Sequence, residues 1–269
     1  MRPGERTLLV RAGALGDFIL TLPLLCALRA QAAHLTVATR GRYRALLPVP
    51  VDAFVDIDGA GALWLFGAGP PPLPLPALAV VALPGAEDAL RARGVAVATV
   101  APRPPAGVHA VDHLLGGASV APVAGRAPWL PRIGANPLAA GHVVLAPGAG
   151  SAEKRWGGWA ALAAALHARG IPTLVVPGQD DPPVSLPGPA VPAPGLDGLR
   201  ALAEGCRAWV GNDTGTTHLA AAAGAQVFAA FGPTDPARWA PRPSRIFGFG
   251  ADPAALAEEI GRVRVPTGS

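Results

Sequence analysis

The chain reads as an α/β protein of two similar halves, and three stretches carry that expectation. Residues 7–10 are a short, wholly apolar run. A glycine loop (Arg11, Gly13, Gly16, Asp17) follows, then apolar positions at helical spacing, Phe18, Leu22, Leu25 and Leu28. Residues 142–146 restart the pattern with a second apolar run, a second glycine loop at 147–151 and a helical stretch at 159–169. Residues 208–231 give a strand, a polar glycine-flanked turn, an Ala-rich helix closed by Gly224 and another apolar strand. Short apolar strands alternating with helices mark βαβ units and parallel sheets. Two Rossmann-like parallel-sheet domains facing a cleft are expected, with ligand loops at the carboxyl ends of the strands.

Composition narrows the partners. The 269 residues are 51% hydrophobic, with 34 Gly and 32 Pro, which allows two domains of short elements and rigid loops. Prolines 128, 131 and 137 punctuate a connector, so the domains are placed at 1–136 and 137–250, with a last helix in 251–269. A formal charge of +4, scattered arginines and 5% aromatics provide no basic stripe with stacking rings, which argues against nucleic acid. An anionic small molecule fits better. Cys26 and Cys206 lack metal-ligand spacing and read as buried thiols in a reducing compartment. Arg11, Gly13, Gly16, Asp17 and Pro23 interrupt what would otherwise pass for a signal peptide. No apolar run approaches the roughly 18 residues of a membrane span. A cytoplasmic protein is expected.

In the first half, residues 18–30 form the expected first helix and residues 34–38 begin the second strand. Asp17 sits where a helix cap belongs, and equally where a carboxylate at the cleft mouth takes a proton from a hydroxyl. The loop lacks the third glycine and the later acidic residue of a dinucleotide site, so NAD is weakly supported. Residues 51–58 alternate as a strand carrying Asp56 and Asp58, whose spacing occurs in metal sites and, more often, by chance. Residues 61–76 form an apolar insertion with Trp64, Leu65 and Phe66. It reads first as a core turn, with an acceptor-pocket lining or a membrane-surface contact as the open alternatives. Strands at 77–83 and 95–100 flank a helix at 86–93. His109 and His113 read as a helix face, since no third metal ligand accompanies them.

In the second half, Lys154 follows the glycine loop and Ser151. It is the sole lysine among 22 basic residues, and a compact ammonium suits a phosphate. Residues 171–176 are a strand, with Gly178 and Gln179 in its loop on the nucleoside side, and residues 196–206 a helix. The stretch from Trp209 to Ala220 is the least generic. A turn holding Asp213, Thr214, Gly215 and Thr216 opens a helix bearing His218, and free N–H groups at a helix start attract phosphate. Taken singly, Asp213 and Thr214 also suit turns and caps.

Together these motifs resemble glycosyltransferase family 9, the heptosyltransferases. The resemblance rests on Gly16-Asp17 with Thr21, Pro23, Leu28 and Arg29, on Pro147-Gly148 with Lys154 and Trp156, on Asp213-Thr214-Gly215 with His218, and on Phe231-Gly232-Pro233-Thr234 with Ala237, Arg238, Trp239 and Pro241. Gly157 departs from the proline that follows the Trp in many members. The resemblance implies a GT-B architecture whose last helix packs back on the first domain, and an inverting, metal-independent transferase with no cofactor. It further implies ADP-heptose as donor, a lipopolysaccharide-core or related envelope glycan or glycolipid as acceptor, and peripheral contact with the inner face of the cytoplasmic membrane. Asp17 becomes the base. Gly16, Ser151, Lys154, Asp213, Thr214, Gly215, Thr216 and His218 form the donor-phosphate site, with no metal. A nucleotide-sugar 2-epimerase, a non-catalytic sugar-nucleotide module and an NAD-dependent oxidoreductase are the rival readings.

Overall fold

The computed structural model describes residues 5–71, 74–124, 129–178, 186–191 and 194–265. The chain divides into two compact units, Met1–Arg126 and Ala127–Ser269.

Unit 1 runs β1 (Arg6–Arg11), α1 (Leu15–Ile19), α2 (Leu22–Gln31), β2 (His34–Thr39), β3 (Ala53–Asp56), β4 (Leu78–Ala82), α3 (Ala86–Ala92), β5 (Ala96–Thr99) and α4 (Ala110–Gly117). Its sheet has the order β3-β2-β1-β4-β5, with parallel pairings throughout. Successive strand residues point to opposite faces, and both faces of β1 are covered. Leu9 packs with Leu25, Leu28, Val37 and Leu114 on one side. Leu8 and Val10 pack with Val55, Val81 and Leu90 on the other. Trp64 and Leu65 join that second cluster from a 3₁₀ turn, Ala60–Phe66, so the first part of the apolar insertion is a core turn. The helix expected over 18–30 is two helices. Pro23 lacks the N–H that would continue α1 and its ring would crowd the carbonyl four residues back. The chain therefore restarts, with Pro23 in the tolerant first turn of α2.

Unit 2 runs β6 (Val143–Ala146), α5 (Trp159–His167), β7 (Thr173–Val175), α6 (Leu196–Gly205), β8 (Ala208–Asn212), α7 (Gly215–Ala222), β9 (Val227–Phe231), α8 (Pro236–Trp239), β10 (Arg245–Gly248) and α9 (Pro253–Gly261). The order is β10-β9-β8-β6-β7, again with parallel pairings. The connector belongs to this unit, earlier than the boundary expected at 136. Leu130 N–H donates to Ala222 O, Asn136 N–H to Ala201 O, and the N–H groups of Ile133 and Gly134 to the buried Glu204 carboxylate. The last helix, expected to pack back on the first half, lies in the core of unit 2. Leu256, Ala257 and Ile260 form one apolar face of α9, buried with Trp159, Leu162 and Leu166 of α5. Strand β10 was not expected: it is short, and as an edge strand its residues stay largely exposed.

In each sheet the first strand is an interior one, central in unit 1 and next to the edge strand β7 in unit 2, and later strands are added on either side of it. The chain direction therefore switches between β1 and β4, and between β6 and β8. Open α/β sheets bind ligands at the carboxyl ends beside such a switch.

Candidate active site

The loops after β6 and β8 meet at the second switch point, and one buried side chain ties them together. Asn212 ends β8 fully buried. Its Nδ2 donates to Pro147 O (2.8 Å) and Gly148 O (3.0 Å), and its Oδ1 accepts from Trp156 N–H (3.1 Å). Trp156 Nε1 donates to Phe249 O, and its ring lies edge-on to Trp159 and Phe247. The lysine-bearing loop is thus fixed at both ends of its last turn. Gly211 permits the next contact: a Cβ there would stand 2.2 Å from Thr217 Oγ1, which donates to Asn212 O at 2.7 Å.

Asp213 gathers the charges. Its Oδ2 accepts from Lys154 Nζ (2.8 Å) and Thr234 Oγ1 (2.8 Å). His218 Nε2 stands 3.7 Å from Oδ1, beyond a hydrogen bond but within charge contact. Burial pushes the Asp213 carboxyl up; His218, Lys154 and Thr234 together outweigh it and bring it down to about 2. The carboxylate is therefore charged at neutral pH. Neither side chain caps α7: Asp213 is engaged with Lys154 and Thr234, and Thr214 holds the N-cap position without a side-chain cap bond. Thr214 Oγ1 instead meets the hydroxyls of Thr216 (3.0 Å) and Thr217 (3.1 Å). The first intrahelical bond of α7 is His218 N–H to Thr214 O. The N–H groups of Gly215, Thr216 and Thr217 precede it and have no carbonyl within the helix.

In unit 1 the loop after β1 holds Asp17. Its Oδ2 accepts from Ala14 N–H (3.1 Å) as a cap of α1, and its Oδ1 from Arg11 Nη2 (3.2 Å). Burial pulls the Arg11 guanidinium below its ordinary value, and the charge of Asp17 opposes that shift. Gly13, at φ 141°, brings the loop against Asp17; a Cβ there would lie 2.8 Å from that of Asp17. Arg40 and Tyr43 donate to Gly13 O, and Tyr43 stacks on Phe18. Asp17 caps its helix and also keeps an exposed edge.

The structure therefore brings Lys154, Asp213, Thr214, Gly215, Thr216 and His218 together, and places Gly16 and Asp17 in the first turn of α1. The Ser151 hydroxyl donates to Glu153 (3.4 Å), a residue outside that cluster. Gly178 follows β7 at the sheet edge, and Gln179 lies outside the described residues. Asp56 accepts from the N–H groups of Gly41 and Asp58, and Asp58 pairs with Arg40, so this carboxylate pair ties a loop. His109 is not on a surface face: it is buried as the N-cap of α4, accepting from Val111 N–H, while His113 meets Ala101 O. Among the described residues no group of three His, Cys, Asp or Glu side chains suits a metal ion, and no helix is long and apolar enough to cross a membrane. Sequence reasoning did not single out Arg11, Asn212 or Thr234 as site residues. Arg11 and Asn212 are polar residues closing apolar strands, and Thr234 stood in a turn already quoted.

Residues 131–259 match the family model of glycosyltransferase family 9 (heptosyltransferase). No curated protein sequence matches the chain. Among solved structures, E. coli ADP-heptose lps heptosyltransferase II aligns with a TM-score of 0.69 at 18% identity, over 96% of this chain and 98% of that one. E. coli heptosyltransferase WaaC with ADP gives 0.66 at 17%, over 96% and 100%. The iron-containing dodecameric glycosyltransferase TibC from enterotoxigenic E. coli H10407 gives 0.62 at 16%, over 96% and 66%. At these identities the likeness is one of fold, and it agrees with the GT-B, two-sheet α/β expectation.

Proposed function

Since a glycosyltransferase family 9 domain spans residues 131–259, we propose that this enzyme is an inverting, metal-independent transferase that moves heptose from ADP-heptose to a hydroxyl. The acceptor is a lipopolysaccharide-core or related cell-envelope glycan, and the reaction is cytoplasmic. ADP and ADP-heptose appear in the names of solved proteins of the same fold. The observation that supports the reading most is the position of Lys154 and the start of α7, side by side at the switch point of unit 2.

The chemistry follows from the charges. The acceptor oxygen attacks the anomeric carbon while its proton passes to the Asp17 carboxylate. The bond from that carbon to the diphosphate oxygen breaks, and negative charge builds on the leaving group. Lys154 and the N–H groups of Gly215, Thr216 and Thr217 stabilise that charge from fixed positions. Asp213 takes a different part from the phosphate contact first expected of it. A charged carboxylate repels phosphate, so its task is to orient Lys154 and Thr234, with His218 packed against it.

A thermal-shift panel of nucleoside diphosphates tests the donor class, run once with chelator and once with Mg²⁺. Selective stabilisation by ADP, equal in both buffers, is expected. No stabilisation by ADP, or stabilisation only with Mg²⁺, contradicts the reading. Turnover of the nucleotide sugar in the absence of any acceptor would indicate an epimerase instead.

A further inference from the structure

Unit 2 has a second cationic concavity, at the end of its sheet away from Lys154. A cavity of about 210 Å³ is lined by Gln226, Arg245, Glu259, Arg262, Val263 and Arg264. Gln226 immediately precedes β9 and Arg245 opens β10, so the cavity lies at the amino ends of these parallel strands. Lys154 and Asp213 follow the carboxyl ends of β6 and β8. The end of α9 supplies the remaining wall.

Three arginines and one glutamate line the cavity, and a second glutamate, Glu258, stands beside it. Arg245 pairs with Glu259 and Arg262 with Glu258, all on exposed side chains. Exposed pairs contribute little to stability, so an arriving anion exchanges with either glutamate at small cost. Guanidinium forks match phosphate oxygens two at a time. The wall behind them is fixed: Arg207 donates to Gly261 O at the end of α9, and Arg245 lies over the Phe228 ring, 5.6 Å from its centre. Val263 is the aliphatic side chain among the lining residues. The cavity's volume is below the roughly 300–1,000 Å³ that encloses a drug-sized ligand, which suits a phosphate headgroup.

We propose that this cavity is a second anion site, which takes the phosphate of a phosphate ester through Arg245, Arg262 and Arg264. It is separate from the donor site and does not depend on the transferase reading. The phosphate is carried either on a lipid or on a soluble molecule, and two probes separate these sources. Inorganic phosphate is titrated into ¹⁵N-labelled protein while the arginine Nε–Hε signals are followed. In parallel, the protein is sedimented with vesicles of phosphatidylcholine alone or mixed with phosphatidylglycerol.

A lipid source appears as capture by the phosphatidylglycerol vesicles only. Capture then falls about tenfold or more in Arg262→Ala/Arg264→Ala, at about fivefold per arginine near an anionic surface. A soluble source appears as phosphate-induced shifts of these signals without vesicle capture, and the shift of the remaining Arg245 signal is lost in the double variant. Arg262→Gln/Arg264→Gln keeps the side-chain bulk and must give the same losses with an unchanged melting curve. The proposal is overturned if neither probe binds, or if binding survives both double variants.

Discussion

Each sheet carries an ion pair in the loops at its switch point, although the strand orders differ, and the pairs are turned in opposite senses. In unit 1 the cation is the buried member: the Arg11 side chain is 5% exposed and that of Asp17 34%. In unit 2 the carboxylate is buried: Asp213 is 9% exposed and Lys154 30%. The first unit therefore presents a carboxylate to solvent, and the second an ammonium. A proton acceptor and a phosphate holder are what those exposed members suit. The fold decides where a ligand loop stands, and the choice of buried partner decides which charge it offers.

Several substitutions break this contrast, beginning with the largest effect. Asp17→Asn keeps the shape of the loop and removes the base, so turnover is expected to fall roughly 10²–10⁴-fold in a donor-consumption assay. Wild-type turnover would reduce Asp17 to a cap. Lys154→Ala removes the exposed cation of the other pair. Calorimetry is expected to show ADP bound about 1.5–3 kcal/mol more weakly, the range for hydrogen bonds to charged groups, and unchanged affinity would remove Lys154 from the phosphate site.

Asn212→Ala removes no charge yet strips the partners from Pro147 O, Gly148 O and Trp156 N–H. A loss of about 1–3 kcal/mol in denaturant unfolding is expected from buried groups left unpaired, with ADP affinity lowered as the lysine loop loosens. Full retention of both would make the tie dispensable. The smallest effect is on acid stability. Asp213 has a folded pKa lowered to about 2, against an unfolded value of about 3.9. Its contribution, at most about 2.6 kcal/mol, is complete above the unfolded value and is lost as the pH falls from about 4 through about 2. Asp213→Asn is expected to flatten the urea midpoint over that window, relative to wild type. Parallel acid limbs for the two proteins would place the stabilisation elsewhere.

Much of this was legible in the residues. The apolar runs at 7–10, 143–146 and 208–212 are strands because they are buried on both faces, and burial on both faces leaves an unbroken apolar signal. Lys154, Asp213 and His218 were readable as a group because the glycine loop and the turn each follow such a strand. What escaped depends on partners distant in sequence. Strand β10 is an exposed edge with little apolar pattern. The connector at 129–136 joins unit 2 through backbone bonds to Ala222 and Ala201 and through the buried carboxylate of Glu204, all distant in sequence, and the face of α9 does not state which core it fills. Asp213 looked like a phosphate ligand until its carboxylate was found against Lys154, a pairing that no local spacing encodes.

The division of labour between the two pairs is tested most directly by the ADP dissociation constant of Asp17→Asn beside wild type, by calorimetry in chelator. The account predicts agreement within about twofold, since the base proposed at Asp17 would act on the acceptor and not on the diphosphate. A tenfold weaker constant would place Asp17 in the donor site and contradict the assignment of the base.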